Sequence, residues 1–141
     1  MTTFDQAAAT TLLRTVFASW VQDLDLSIES VAADSAVLRM RFSEKLCRDN
    51  GVVCGQALMS LADTAMVFAV SAAAGGYLPM TTVDQTVHFL KPAKQTDLLA
   101  EARVARIGRA MAFGSITILP VNDTKPVALA QTAYALMRES K

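Results

Sequence analysis

The stretch "CGQALMSLADTAMVFAVSAAAGG", Cys54 to Gly76, decides how this chain folds. It is apolar almost throughout, too long for a strand, and closed by Gly75-Gly76, the kind of signal that ends helices. A helix that is hydrophobic nearly all round needs cover on most of its surface. Yet Asp63 stands in its middle, with Leu61, Ala62, Ala65, Met66, Val67 and Phe68 around it. Taking an ionised carboxylate out of water is costly, or forces it neutral, unless it is hydrogen-bonded or paired. Asp63 therefore has a structural partner or a chemical task.

The cover for the helix comes from the segments on either side. Upstream, Leu26 to Ala32 and Ala36 to Phe42 alternate apolar with polar residues around the turn "ADS", which predicts a hairpin. Downstream, four runs have strand character: Thr81 to Leu90, Leu98 to Ile107, Met111 to Leu119 and Pro126 to Met137. Their turns are marked by "KPAKQTD", "GR" and "PVNDTKP", so these four read as a meander. At the N-terminus, from about Asp5 to Val21, Leu13, Val16, Phe17 and Trp20 recur at helical spacing and predict one amphipathic helix. The order of elements is satisfied by an α+β fold in which a curved antiparallel sheet wraps one long helix.

Size and composition limit the function classes. A chain of 141 residues has a single-domain length and reads as one domain over 1–141; with 52% hydrophobic and 18% charged residues it is richer in apolar groups than a typical soluble domain. Thirteen basic residues balance thirteen acidic ones, which gives no field to gather nucleic acid or anionic membrane. The first twenty residues lack the basic start and unbroken apolar core of a signal peptide, and the longest apolar run, near Ala65 to Ala74, is short for a membrane span. The expectation is a cytoplasmic protein with reduced thiols. Cys47 and Cys54, with a single histidine in the chain, do not compose a zinc site.

The start of the long helix carries chemistry of its own. Gly55 follows Cys54 where the first backbone N–H groups have no partner within the helix, and the positive end of the dipole adds to them. Such amides suit a developing oxyanion. Asp63 lies eight residues on, about 12 Å along the axis at 1.5 Å per residue. One helix cannot bring both groups to one carbonyl, whereas two antiparallel copies can. If both are catalytic, the site is composite and the protein a homodimer.

The segments "NGVVCGQALMSLADTAMVFA" and "TTVDQTVHFLKPAKQTDLLAEARVARIGRAMAFGSITI" resemble the hotdog-fold acyl-CoA thioesterases of the phenylacetic-acid-degradation (PaaI) type, over about Asn50 to Met137. The most specific piece is the glycine-to-acid spacing in "GQALMSLADTA". The resemblance implies a hotdog fold, here with an extra N-terminal helix, assembled as a homodimer or dimer of dimers. It implies hydrolysis of an acyl-CoA thioester to free acid and CoA, with coenzyme A entering only as part of the substrate and no metal or redox cofactor. By the same resemblance Asp63 is general base or nucleophile, the Gly55 amide of a neighbouring subunit is the oxyanion donor, and Thr82 helps place the water. Asn50, thirteen residues before the acid where the family has an Asn or Gln about fifteen before, would hold the acid or the water. Lys91, Arg106 and Arg109 would meet the coenzyme A phosphates. Two residues depart from the family's HGG pattern: Cys54 replaces the His and Gln56 the second Gly, so substrate contacts there would differ.

Other readings stand beside this one. Cys54 at a helix start has the setting of an activated thiol, but no histidine stands near it in sequence as a base. An acyl-CoA-binding hotdog protein without turnover is favoured by the missing histidine. A hotdog enoyl-CoA hydratase would need an Asp-His pair, and His88 falls by alternation with Asp84 and Thr86, opposite Val83, Val87 and Phe89. Met59, Met66, Phe68 and Tyr77 are the side chains from which pocket depth would follow, the methionines reading first as core or interface filler.

Overall fold

The computed structural model describes residues 4–138. Helix α1 (Gln6–Thr15) starts at Asp5, whose carboxylate accepts from the Ala8 N–H at 2.8 Å. The single helix expected to Val21 is two helices, because the chain breaks after Thr15 and resumes as the short α2 (Ser19–Gln22). At the break the Thr15 hydroxyl bonds back to the carbonyls of Thr11 and Leu12, and Gln22 Nε2 donates to the Leu13 carbonyl at 2.8 Å. The turn delivers Phe17 onto the ring of Phe68, with centroids 5.6 Å apart. Its cost is that Val16 and Trp20, assigned to the same apolar stripe, face solvent, Trp20 at 58%.

Strands β1 (Leu26–Val31) and β2 (Ser35–Met40) form the expected hairpin. Two 3-10 turns, Glu44–Leu46 and Asp49–Gly51, lead into helix α3 (Gly55–Ala74). Gly75 ends α3 in the left-handed region (φ +80°), and the Gly76 N–H reaches back to the Ser71 carbonyl at 2.9 Å, a closure that glycine adopts without strain. Then come β3 (Met80–Phe89), β4 (Leu98–Ile107), β5 (Met111–Pro120) and β6 (Ala128–Leu136).

All six strands join one antiparallel sheet in the order β1-β2-β4-β5-β6-β3. Only β4-β5-β6 is a meander. β3 pairs with β6 at the far edge, and the "KPAKQTD" segment, read as a turn, is a crossover: it passes by the start of α3, where the Val53 N–H donates to the Ala93 carbonyl at 2.9 Å. With β3 at the edge, β2 and β4 close the other half of the sheet over α3. This is the hotdog arrangement.

The sheet buries Leu58, Leu61, Ala62, Ala65, Met66, Phe68, Ala69 and Val70 of α3 against the inner faces of the strands. By length and hydropathy α3 would suffice to cross a membrane, contrary to the expectation from the Ala65–Ala74 run, yet 61% of its most apolar window is buried inside the molecule. On β5, Gly114 packs tightly against the Met66 side chain of the helix and the backbone of β4. A Cβ there would lie 2.5 Å from Met66 Cε and 2.6 Å from the Arg103 carbonyl oxygen.

Candidate active site

One stripe of α3 escapes the sheet: Gly55, Gln56, Met59, Ser60, Asp63 and Val67 are half-buried or exposed while their neighbours are buried. Positions 55, 59 and 63 follow the i, i+4 spacing of one helix face. Each meets β3 in turn. Gly55 lies under the Phe89 ring, the Met59 carbonyl accepts from Gln85 Nε2 at 3.1 Å, and Asp63 bonds Thr82. The first half of α3 therefore runs antiparallel to the edge strand, and the acid that looked buried in sequence sits at an open seam.

At Asp63 three elements converge. Thr82 Oγ1 donates to Oδ1 at 2.7 Å, and the Tyr134 hydroxyl donates to the same Oδ1 at 2.6 Å and is also hydrogen-bonded to the Asp63 carbonyl. Thr82 and Tyr134 are directly opposed in the β3–β6 ladder, and the register shifts immediately afterwards, leaving Val83 as the bulged residue. Val83, assigned by strict alternation to the face of Val87 and Phe89, is consequently unpaired and 59% exposed. Tyr134 is buried; burial first, and the adjacent Asp63 charge second, push its phenol well above the usual tyrosine value. At neutral pH it is therefore protonated and a donor.

The start of α3 is bare. Cys54, the N-cap, makes no side-chain capping bond, and the N–H groups of Gly55 and Gln56 have no backbone acceptor among the described residues. Gly55 has no positive φ, so its backbone does not require glycine; a Cβ would instead meet Phe89 Cζ at 3.3 Å. A cavity of about 450 Å³ opens beside it, lined in part by Arg48, Leu58, Phe89 and Lys91.

The other sequence-derived residues are placed as follows. Asn50 sits in the turn before α3 in the left-handed region (φ 63°), exposed, and is not hydrogen-bonded to Asp63 within the chain. Gln56 is exposed on the open stripe. Lys91 lies at the Gly55 end but is paired with Asp123 at 2.8 Å, which lowers the Asp123 carboxyl. Arg106 and Arg109 are exposed at the β4–β5 hairpin, the opposite end of the sheet from Lys91, so within one copy the three basic residues do not form one patch. Met66 and Phe68 are core, whereas Met59 and Tyr77 are exposed. His88 is exposed on the outer face of β3 beside Thr86 and Leu129, away from Asp63. Both cysteines are free thiols, and among the described residues no three His, Cys, Asp or Glu side chains converge.

Tyr134 was missed in the sequence, although a tyrosine alternating with Ala130, Thr132 and Leu136 on an inner face is a signal, since a buried phenol seeks a hydrogen-bond partner. Gln85 was missed too. Its Oε1 and the Oγ1 of Thr132, its cross-strand neighbour, are buried without partners among the described residues.

The central helix of this hotdog fold thus presents a hydrogen-bonded carboxylate on one turn and bare amides at its start. Residues 50–127 match the family profile of the thioesterase superfamily. A candidate esterase of Halobacterium salinarum is 30% identical across 99% of this chain and 99% of its own length. Among solved structures, a candidate thioesterase of a Silicibacter species superposes with a TM-score of 0.86 at 27% identity, covering 98% of this chain and 95% of the other. The Escherichia coli PaaI protein of the phenylacetic acid degradation operon superposes at 0.81 and 24% identity, over 94% of each chain, and shares the fold. The chain belongs to the thioesterase superfamily and is a hydrolase acting on thioesters.

Proposed function

We propose that the protein hydrolyses acyl-CoA thioesters in the cytoplasm at sites shared between two copies of the chain. Asp63 deprotonates water, or attacks the carbonyl itself to form a mixed anhydride that water then cleaves; in either case the acyl group leaves as free acid and the sulfur as CoA thiol. The Gly55 amide of a second copy holds the carbonyl oxygen as it gains charge, a contribution of about 2.7–4 kcal/mol where single oxyanion donors have been removed. Thr82 fixes the carboxylate. Asn50, in the turn before the helix, would hold the acid or the water of the second copy, and Gln56 and Cys54 at the helix start would contact the thioester, with Lys91 at that end and Arg106 and Arg109 brought to it by the twofold. Water and these side chains account for every atom of the reaction, so it calls for no metal or redox group.

The observation that carries this reading is the open seam between α3 and β3. Gly55 and Asp63 share its helix face yet lie about 12 Å apart along the axis. β3 is an edge strand of ten residues without Lys or Pro, its one bulge lies near its start at Val83, and Val83 and Phe89 are more than half exposed, so the edge from Asp84 to Phe89 is open to pairing. Pairing β3 with β3 of a second copy would cover the edge and set the two helices antiparallel. A dimer of dimers would repeat the arrangement.

The test is thiol release from short, medium, long and aromatic acyl-CoAs by the wild type and by Asp63→Asn, each shown to be folded and equally assembled. A loss of at least about a hundredfold is expected in the variant. Binding of acyl-CoA with no hydrolysis by the wild type would favour instead the binding-protein reading, for which Cys54 in place of the family's histidine is the supporting observation.

A further inference from the structure

We infer that Tyr134 is a positioning residue that, with Thr82, occupies Oδ1 of Asp63 and so leaves Oδ2 as the oxygen that meets water or the thioester. The inference rests on the proposed catalytic role of Asp63 and goes beyond it by assigning separate tasks to its two oxygens.

Both donors to the carboxylate arrive on one oxygen. Thr82 Oγ1 lies 2.7 Å and the Tyr134 hydroxyl 2.6 Å from Oδ1, whereas Oδ2 accepts no hydrogen bond among the described residues and is not among the buried unpartnered atoms, so it faces the seam. A hydroxyl has one proton, and that of Tyr134 is shared between Oδ1 and the carbonyl of the same residue. Anchored at both its side chain and its backbone, Asp63 cannot rotate about χ1 or χ2 without breaking a bond to a buried phenol. Aspartate in a helix otherwise has several rotamers open to it. The ladder makes the arrangement rigid: Thr82 and Tyr134 are opposed in register, and Tyr134 is opposed on its other side by Ala112 of β5.

No other titratable side chain is hydrogen-bonded to Asp63 among the described residues. Asp84 and His88 alternate onto the outer face of β3. The tyrosine is therefore the buried donor to the carboxylate, with Thr82 as the exposed one.

Tyr134→Phe keeps the ring and removes the donor. Losing one hydrogen bond to a charged group should lower kcat about ten- to a hundredfold with KM changed less than about twofold, because the substrate is not touched by the phenol. In the wild type the Tyr134 hydroxyl proton, followed by NMR, should be slow to exchange and should move upfield in Asp63→Asn, a readout that needs no turnover. Unchanged kcat in a folded Tyr134→Phe protein, or a rapidly exchanging hydroxyl in the wild type, would overturn the assignment. A slowly exchanging hydroxyl that responds to Asp63→Asn in a protein that hydrolyses no acyl-CoA would uphold the positioning while removing the proposed function. If Tyr134→Phe does not fold, the wild-type hydroxyl proton still decides.

Discussion

Replacing Gly55 with alanine separates a requirement of the fold from a requirement of the reaction. Nothing in the backbone asks for glycine, since Gly55 is the first residue of α3 and has no positive φ. Alanine is favoured over glycine in a helix interior by about 0.8–1.0 kcal/mol, less at a first position. Against that gain stands one contact: the new methyl would sit 3.3 Å from Phe89 Cζ and 3.4 Å from Cε1. Phe89 is 51% exposed, so its ring can yield by the few tenths of an ångström required. The two effects nearly offset, and the unfolding free energy should change by less than about 1 kcal/mol. Catalysis has no such compensation. If the thioester oxygen must approach the Gly55 N–H, a methyl on that residue and a displaced Phe89 obstruct it, and loss of an oxyanion donor lowers kcat by about a hundred- to a thousandfold. Calorimetry and thiol release on the same preparation make the comparison. Wild-type kcat in a folded Gly55→Ala protein would refute the reasoning that a methyl here obstructs approach to the amide. Recovery of activity on adding Phe89→Ala would assign the loss to the ring rather than to the amide.

Gly114→Ala should behave in the opposite way, because its Cβ would meet a backbone carbonyl at 2.6 Å as well as Met66; a drop of about 1–3 kcal/mol in unfolding free energy is expected by denaturant titration, and unchanged stability would contradict the close β5–α3 contact. Asp97 accepts from the Phe42 N–H at 2.8 Å and from Arg39 at 2.7 Å, and these bonds, the backbone one first, lower its carboxyl below the ordinary value. A depressed carboxyl adds stability above its unfolded pKa, about 3.9, and that stability is lost as pH falls through the lower folded value. The gap in unfolding free energy between wild type and Asp97→Asn should thus be full at pH 6 and shrink below about pH 4; a gap independent of pH would show that the ionised form is not what the fold holds.

How much of this was legible in the sequence depended on whether a feature is local. The span of α3 was readable because its composition and its terminal Gly75-Gly76 are local signals, and the β1–β2 hairpin and β4 because alternation is local too. The place of β3 was not. Its sequence suits pairing with β4 as well as with β6, and only the crossover anchored at Val53 and Ala93 sends it to the far edge. The N-terminal break was hidden for a similar reason, as Val16 and Trp20 fit the helical stripe and it is the distant Phe68 that draws Phe17 out of line. At the site, Asp63 and Thr82 were found through the resemblance, whereas Tyr134 lies 71 residues from the acid it bonds. Alternation could put the phenol on the inner face; the β3–β6 register, which no local pattern encodes, put it opposite Thr82.

The carboxylate in the apolar helix follows from the same geometry. A six-stranded sheet rolled about one helix must have two edges, and at the β3 edge the helix cannot be covered by its own chain. The residues left there are Gly55, Met59 and Asp63 on one helix face, opposite Phe89, Gln85 and Thr82 on the strand. A charge on this stripe remains in contact with water, while one turn further round it would be sealed beneath the strands at a cost of several kcal/mol, by the usual effective penalty for a buried ion. The seam is therefore the part of α3 where an ionised Asp is compatible with folding, and it adjoins an exposed strand edge that favours pairing with another copy. On the proposed reading these are one feature: the surface that the monomer leaves unfinished is the surface on which the second copy supplies the missing oxyanion donor, so assembly and chemistry depend on the same seam.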